Sequence, residues 1–231
     1  MLCSAPKTVA SQRRVVKTAP ELETNRDESA YTCPTWKRCF DVAAAGILGI
    51  ACLPVLLLTA LLIKCTSKGP IFYRQKRVGL GGIPFEILKF RSMHVRDSAT
   101  EEHRDYVSGL RDGVLKKPST ANRLIPFGQT LRRWSIDELP QLWNIIRGDM
   151  SLVGPRPDVL QLSDYEDSWE RQRFSVLPGL TGLWQVSGKN RLTFQEMISL
   201  DNQYVEKLSW RLDLYILLKT VPAVLSQSSD S

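Results

Sequence analysis

Along roughly the first 34 residues apolar side chains recur with no sustained period. Lys, Arg, Glu, Ser and Thr dominate, with prolines at Pro6, Pro20 and Pro34, and the pattern predicts a solvated, unstructured tail over 1–34. The pattern then inverts. From Val42 to Ile63, VAAAGILGIACLPVLLLTALLI carries no charge and only Thr59 interrupts it, over a length matching the ~20 residues a helix needs to cross a hydrocarbon core of about 30 Å. Pro54, near the middle, removes a backbone donor and predicts a bend or break. Basic residues flank both ends, Lys37 and Arg38 before and Lys64 and Lys68 after, so positive charge assigns neither end to a side. A helix-break-helix hairpin that enters and leaves by one face, with both basic flanks against anionic headgroups, satisfies both observations. A kinked full span is the alternative. No cleavable leader pattern precedes the run, and no other stretch reaches spanning length, so the remainder is expected on one side.

After the run, shorter periods follow. IFYRQKRVGLGGIPFEILKFRSM predicts a β-hairpin, with a strand near Ile71 to Gln75, a turn at Gly79 to Gly82 and a second strand near Phe85 to Phe90. Its GLGG lacks the lysine-hydroxyl pair of a phosphate loop and is read as the turn. Residues 96–122 are polar, expected as a variable helix and loop. Asp164 to Arg173 predicts an exposed helix, LPGLTGLWQVSGKN a glycine-punctuated loop and strand, and Phe194 to Leu208 an amphipathic helix. Leu212 to Leu225 predicts an apolar helix, too short to span comfortably, in the core or at a membrane interface.

Composition narrows the chemistry. With 231 residues, 43% hydrophobic and 24% charged, one main domain is the default, and the net charge of +7 favours polyanionic partners without choosing among them. The five cysteines, Cys3, Cys33, Cys39, Cys52 and Cys65, form no C-x-x-C pair, which argues against a disulfide framework or zinc site. Two histidines, His94 and His103, leave little material for histidine-based metal or triad chemistry.

The densest concentration of charge, aromatics and proline is LRRWSIDELPQLWNIIRGDMSLVGPRP. Asp137 and Glu138 can be read in two ways. Ser135-Ile136-Asp137-Glu138 fits an S-x-x-E capping box, although Pro140 suits that register poorly and lets the helix begin after Leu139. Alternatively, the pair faces a phosphorylated substrate, with Arg132, Arg133, Arg147 and Arg156 offsetting like-charge repulsion. Arg156, between Pro155 and Pro157, is held stiffly enough for bidentate phosphate binding. Basic and aromatic residues are not interleaved on one element as a nucleic-acid platform requires, so no nucleic-acid partner is expected.

Taken in order, KRCFD before a proline-broken apolar run, GPIFYRQKRVG, FEILKFRSM, LRRWSIDELPQLWNIIRGDMSLVGPRP, PGLTGLWQVSG and LDNQYVEKLSWRLDLYILLKT resemble the monotopic polyprenyl-phosphate phosphoglycosyl transferases. These bacterial sugar transferases initiate exopolysaccharide, O-antigen and glycoprotein glycan assembly. The match spans roughly residues 36–225.

The resemblance implies an α+β, mainly helical fold. It divides the chain into a tail (1–34), a re-entrant helix broken at Pro54 (35–68), a cytosolic catalytic domain with a β-hairpin and interfacial helices (69–225) and a short tail (226–231). It also implies Mg²⁺, with Asp137 as metal ligand and as nucleophile on the β-phosphate of a UDP-sugar, expelling UMP. Undecaprenyl phosphate would then accept the phosphosugar, and Glu138 would act as acid/base or organise Mg²⁺. Lys89, Arg91, Arg132 and Arg156 would hold phosphates, with Gln185 and Asp201 near the site. Trp143 and Trp184 can stack on a base or sugar or pack structurally, and Lys189 stands where many relatives carry arginine. Placement on the cytoplasmic face of a bacterial inner membrane, among lipids and downstream glycosyltransferases, follows from the resemblance, as does a hexose (galactose or glucose) donor.

Overall fold

The computed structural model describes residues 33–94, 109, 123–157, 164–165, 167–188 and 192–227. The expected tail up to residue 32 and nearly all of the polar segment 96–122 lie outside them.

The apolar run forms two helices, α1 (Thr35–Ala51) and α2 (Leu53–Thr66), bent by 61° at Cys52. Pro54 falls in the first turn of α2, where its missing N–H costs no intrahelical bond, so it starts a helix and does not kink one. No single described helix is long and apolar enough to cross a membrane, whereas the bent pair together reaches that length and composition. Ile47, Ile50, Leu57, Leu58 and Leu61 are exposed along it.

The root of α1 corrects one expectation. Lys37 and Arg38, read as headgroup contacts, turn into the protein. Lys37 is 2% exposed and pairs with Asp213 at 2.5 Å, while Tyr204 donates its hydroxyl to Asp213 (2.8 Å). Arg38 donates to the carbonyls of Ile145 (2.5 Å) and Ile146 (2.7 Å), which end α4 (Gln141–Arg147). A cation there meets the negative end of the helix dipole and orphan carbonyls, a better partner than water. Asp41, fully buried, accepts the N–H of Leu152 (3.0 Å).

The hairpin forms as expected, with boundaries shifted. Strands β1 (Phe72–Val78) and β2 (Pro84–Phe90) pair antiparallel with Tyr73 opposite Lys89, joined through a turn in which Gly81 and Gly82 take φ of 63° and 78°. Glycine is required because a side chain there is strained. Asn144 of α4 locks β2 in place, accepting from Leu88 N (2.9 Å) and donating to Glu86 O (2.7 Å).

After α3 (Gly128–Arg133) and α4, two three-residue strands, β3 (Ser151–Val153) and β4 (Gly179–Thr181), pair in parallel. Between them, α5 (Ser168–Arg171) continues as a 3₁₀ turn over Gln172–Ser175; Arg173, expected on an exposed helix, is 2% exposed. Gly154, Gly179 and Gly182 lie backbone against backbone at the ends of the strands: a Cβ on any of them would overlap a main-chain carbonyl or nitrogen of the others or of Leu177. The GPRP and PGLTG stretches thus mate through glycine.

Past β4, LWQVS forms α6 (Leu183–Ser187) where a strand was expected; Trp184 is buried in it, and Gly182 and Gly188 bracket it. Helix α7 (Phe194–Glu206) opens on a formed capping box, Thr193 Oγ1 accepting from Glu196 N (3.3 Å) and Glu196 Oε2 from Thr193 N (2.8 Å). Helix α8 (Trp210–Gln227) buries Asp213 and Ile216 and exposes Trp210, Leu214, Leu218, Val221 and Leu225 along one side. The main core joins Ala45, Ile87, Leu142, Ile145, Met150, Leu152, Val153, Tyr204 and Ile216, binding the foot of α1 to both sheets.

Candidate active site

Ser135 creates the site's geometry. Its φ of 54° is left-handed, an unfavourable conformation for a residue with a side chain, and it ends the helical path of α3. The chain re-enters as a 3₁₀ turn, Ile136–Glu138, and α4 begins after Pro140. The capping-box reading is therefore overturned. Ser135 makes no side-chain cap bond, and Glu138 is drawn away by two cations with which a neutral backbone N–H cannot compete. In the tight turn the two acids point about 120° apart, so adjacent carboxylates receive different surroundings.

Glu138 accepts from Lys89 Nζ at 2.8 Å and from Arg156 Nη1 at 3.1 Å, and Arg156 Nη2 closes a second arm of the same fork. All three are largely shielded, with side-chain exposures of 17% for Lys89 and Glu138 and 26% for Arg156. Burial raises Glu138's pKa, but the charges and hydrogen bonds of Arg156 and Lys89 outweigh it and hold the carboxyl well below the usual range. Burial pulls Lys89 below the ordinary lysine value against the attraction of Glu138, with Arg156 and Arg77 adding to the pull.

Asp137 differs. Its carboxylate makes no hydrogen bond or ion pair among the described residues. Burial, then the charge of Glu138, pushes its pKa up to about 6, with Lys89, Arg132 and Arg156 pulling the other way. One acid is neutralised in place and the other is left with unspent lone pairs.

Arg156 is fixed through its backbone as well as its prolines. Arg77 Nη1 donates to Pro157 O (3.1 Å), Gly179 N to Pro155 O (2.9 Å), and Arg173 Nη2 to Arg156 O (2.7 Å). Arg173 also donates to Tyr165 Oη (3.0 Å) and pairs with Asp201 (2.8 Å).

The fold therefore gathers Asp137, Glu138, Lys89 and Arg156, with Arg132 close enough for its charge to act on Asp137 while its Nη1 meets Met93 Sδ at 2.7 Å. Asp201 lies fully buried behind Arg173, which also donates to the Arg156 carbonyl and so connects Asp201 to the site. Arg91 is 4% exposed, and both of its terminal nitrogens donate to Ser67 and Lys68. Gln185 lies beside the glycine seam, and its buried Oε1 has no partner among the described residues. Trp184 is core and Trp143 is exposed; Lys189 lies outside the described residues. Sequence reasoning missed Arg77 and Arg173. Arg77 follows Arg74 and Lys76 in β1 but falls on the strand's less exposed face, and its contact with Pro157 is made only in three dimensions.

No described group of three or more His, Cys, Asp or Glu side chains could hold a metal by itself. Asp137 offers open carboxylate oxygens, which fits an ion such as Mg²⁺ that takes one or two carboxylates and completes its shell with phosphate oxygens and water. Glu138's oxygens are already engaged.

A family model described as "Bacterial sugar transferase" matches residues 32–227. The UDP-glucose:undecaprenyl-phosphate glucose-1-phosphate transferase of Caulobacter vibrioides is 42% identical over 198 residues, covering 82% of this chain and 70% of that protein. Exopolysaccharide production protein ExoY of Rhizobium meliloti is 42% identical over 199 residues, 84% of this chain and 87% of its own. The galactosyl transferase CpsE of Streptococcus agalactiae is 42% identical over 159 residues, 68% of this chain and 35% of its own. The chain belongs to the bacterial sugar transferase family.

Proposed function

We propose that the protein transfers a hexose-1-phosphate from a UDP-sugar to undecaprenyl phosphate, releasing UMP, as a membrane step of exopolysaccharide synthesis. The observation that carries this reading is the division of labour within Asp137-Glu138: an open, partly desolvated carboxylate beside a cationic cluster that its neighbour holds in register. The relatives' names supply the substrate class, with both glucose and galactose among them.

An Asp137 carboxylate oxygen attacks the β-phosphorus of the UDP-sugar. The bond from that phosphorus to the bridging oxygen breaks, and UMP departs with the electron pair, leaving an acyl phosphate that carries the sugar. A phosphate oxygen of undecaprenyl phosphate then attacks the same phosphorus, the acyl-phosphate bond breaks, and the carboxylate is regenerated. Lys89, Arg132 and Arg156 offset the charge that gathers on the phosphoryl oxygens, and the pinned GPRP turn keeps Arg156 aimed. Asp137 would hold Mg²⁺, which when bound neutralises phosphate charge.

The α1–α2 pair is read as a re-entrant hairpin in the cytoplasmic leaflet, with the exposed apolar side of α8 at the interface and the catalytic residues on the cytoplasmic side. The 61° bend and the attachment of both helix ends to one domain support it. Cysteines engineered before Lys37 and after Lys68, in a background without native cysteines, are expected to react with an impermeant reagent from the cytoplasmic side alone. Labelling from opposite sides would sink the hairpin.

Incubating the membrane-reconstituted protein with undecaprenyl phosphate, Mg²⁺ and single UDP-sugars tests the activity. UDP-glucose or UDP-galactose is expected to give UMP and a lipid-linked sugar diphosphate. UMP release from neither hexose donor overturns the assignment.

A further inference from the structure

Three consecutive residues of the chain connect the site to the exit helix of the hairpin. Lys89 bonds Glu138. Phe90, 2% exposed, packs in one cluster with Ile63 of α2 and Leu131 of α3. Arg91 donates from Nη1 to Lys68 O (2.5 Å) and from Nη2 to Ser67 O (3.1 Å) and Ser67 Oγ (2.6 Å). Residues closing a helix carry carbonyls without intrahelical donors and a partial negative charge, and a planar guanidinium meets several at fixed angles. Gly69, at φ 118°, passes so close that any side chain there would overlap the Arg91 guanidinium.

The apolar side of the joint repeats the connection. Leu56 and Ala60 of α2 and Ile136, the residue before Asp137, pack on the same cluster. The end of α2 is thus held relative to the reactive carboxylate by a polar clamp and an apolar contact on adjacent residues.

We infer that Arg91 is a positioning residue for the lipid acceptor: its clamp on Ser67 and Lys68 sets the height of Asp137 above the bilayer plane. This rests on the reading that α1 and α2 lie in the membrane and that the acceptor is a polyprenyl phosphate. The bilayer sets the depth of the acceptor's phosphate, and α2 sets the depth of the site. Misplacement of reacting groups by about 1 Å can cost on the order of a hundredfold in rate.

The test compares one acceptor in two surroundings. In nanodiscs undecaprenyl phosphate has a fixed height, and in detergent micelles it has none. Arg91→Gln is expected to raise the KM for undecaprenyl phosphate on the order of tenfold in nanodiscs and by no more than about twofold in micelles, with the KM for the UDP-sugar unmoved in both. Arg91→Lys should recover part of the loss, and Ser67→Ala, which removes one bond, should shift it in the same direction by less. An equal rise in both surroundings marks direct phosphate contact or general damage and overturns the inference, as does an unchanged acceptor KM in nanodiscs. Should Arg91→Gln fail to fold, Ser67→Ala decides by the same comparison. If wild type releases no UMP, the functional reading has failed by itself. The clamp is then judged by depth, from quenching of a label on Gln129→Cys by lipid-borne quenchers: a shift on adding Arg91→Gln supports it, and no shift refutes it.

Discussion

Asp137→Asn is expected to lose transfer activity by at least about a thousandfold while melting at a higher temperature than wild type at pH 7. The first half follows from removing the only nucleophile in the proposed mechanism. The second follows from the cost of holding that nucleophile ready. Burial and Glu138 raise Asp137 to about 6 from an ordinary 3.8, so the folded state binds this proton more tightly than the unfolded chain does. The resulting stability is present in full below the ordinary value and is lost as pH rises through about 6. At neutral pH wild type bears the cost of an ionised, poorly solvated carboxylate, which asparagine avoids. After allowance for partial exposure the difference is about 2 kcal/mol. Thermal melts without divalent metal should therefore show the variant's advantage at pH 7 and its shrinkage toward pH 4. The wild-type kcat/KM should fall below about pH 6 as the carboxylate protonates. A variant that keeps wild-type UMP release removes Asp137 as the nucleophile.

Glu138→Gln, one residue further on, should have the opposite effect on stability. Its carboxylate is held low by Arg156 and Lys89, so its contribution is present above the ordinary glutamate value and is lost only as pH falls through the depressed folded value. Glutamine keeps the shape and removes the charge, leaving a shielded lysine and arginine without their counterion. Breaking one side of such a pair costs about 3 kcal/mol. The variant should melt well below wild type at pH 7, converge with it only in strong acid, and lose on the order of a hundredfold or more in turnover because Arg156 is no longer oriented. A Glu138→Gln protein as stable as wild type would mean that the cluster is held by its backbone contacts alone. The two substitutions differ by one position and both remove a negative charge, so their opposite melting shifts separate a group kept ready from a group that anchors its neighbours.

Features with long, strong patterns were legible in the sequence. The apolar run and its break, the hairpin, and α7 and α8 each extend over several periods, and the structure has them within a few residues of expectation. Elements of three to five residues were not. Strands β3 and β4 and helix α6 are too short to display a period, and what holds β3 to β4 is backbone-on-backbone contact between glycines, which carry no hydropathy signal. Capping shows the limit from another direction. Ser135-x-x-Glu138 and Thr193-x-x-Glu196 are the same motif on paper, yet only the second forms, because Lys89 and Arg156 reach the first from elsewhere in the chain. The partners of Arg91 and Asp201 were not legible for the same reason: Ser67 and Lys68 for one and Arg173 for the other are set by tertiary packing. Lys37 and Arg38 beside an apolar run were assigned to lipid on sound statistics, and their true partners are Asp213 and the end of α4.

The Lys37–Asp213 pair bears on the order of events during synthesis. The two residues are 176 positions apart, so α1 and α2 are synthesised while the anion that secures the base of α1 has yet to be made. Until α8 emerges, Lys37 lacks its carboxylate, and α1 meets the domain through Arg38 on the end of α4 and Asp41 on Leu152. Closure of the ion pair then joins the first described helix to the last, so assembly of the domain ends at the place where α1 begins.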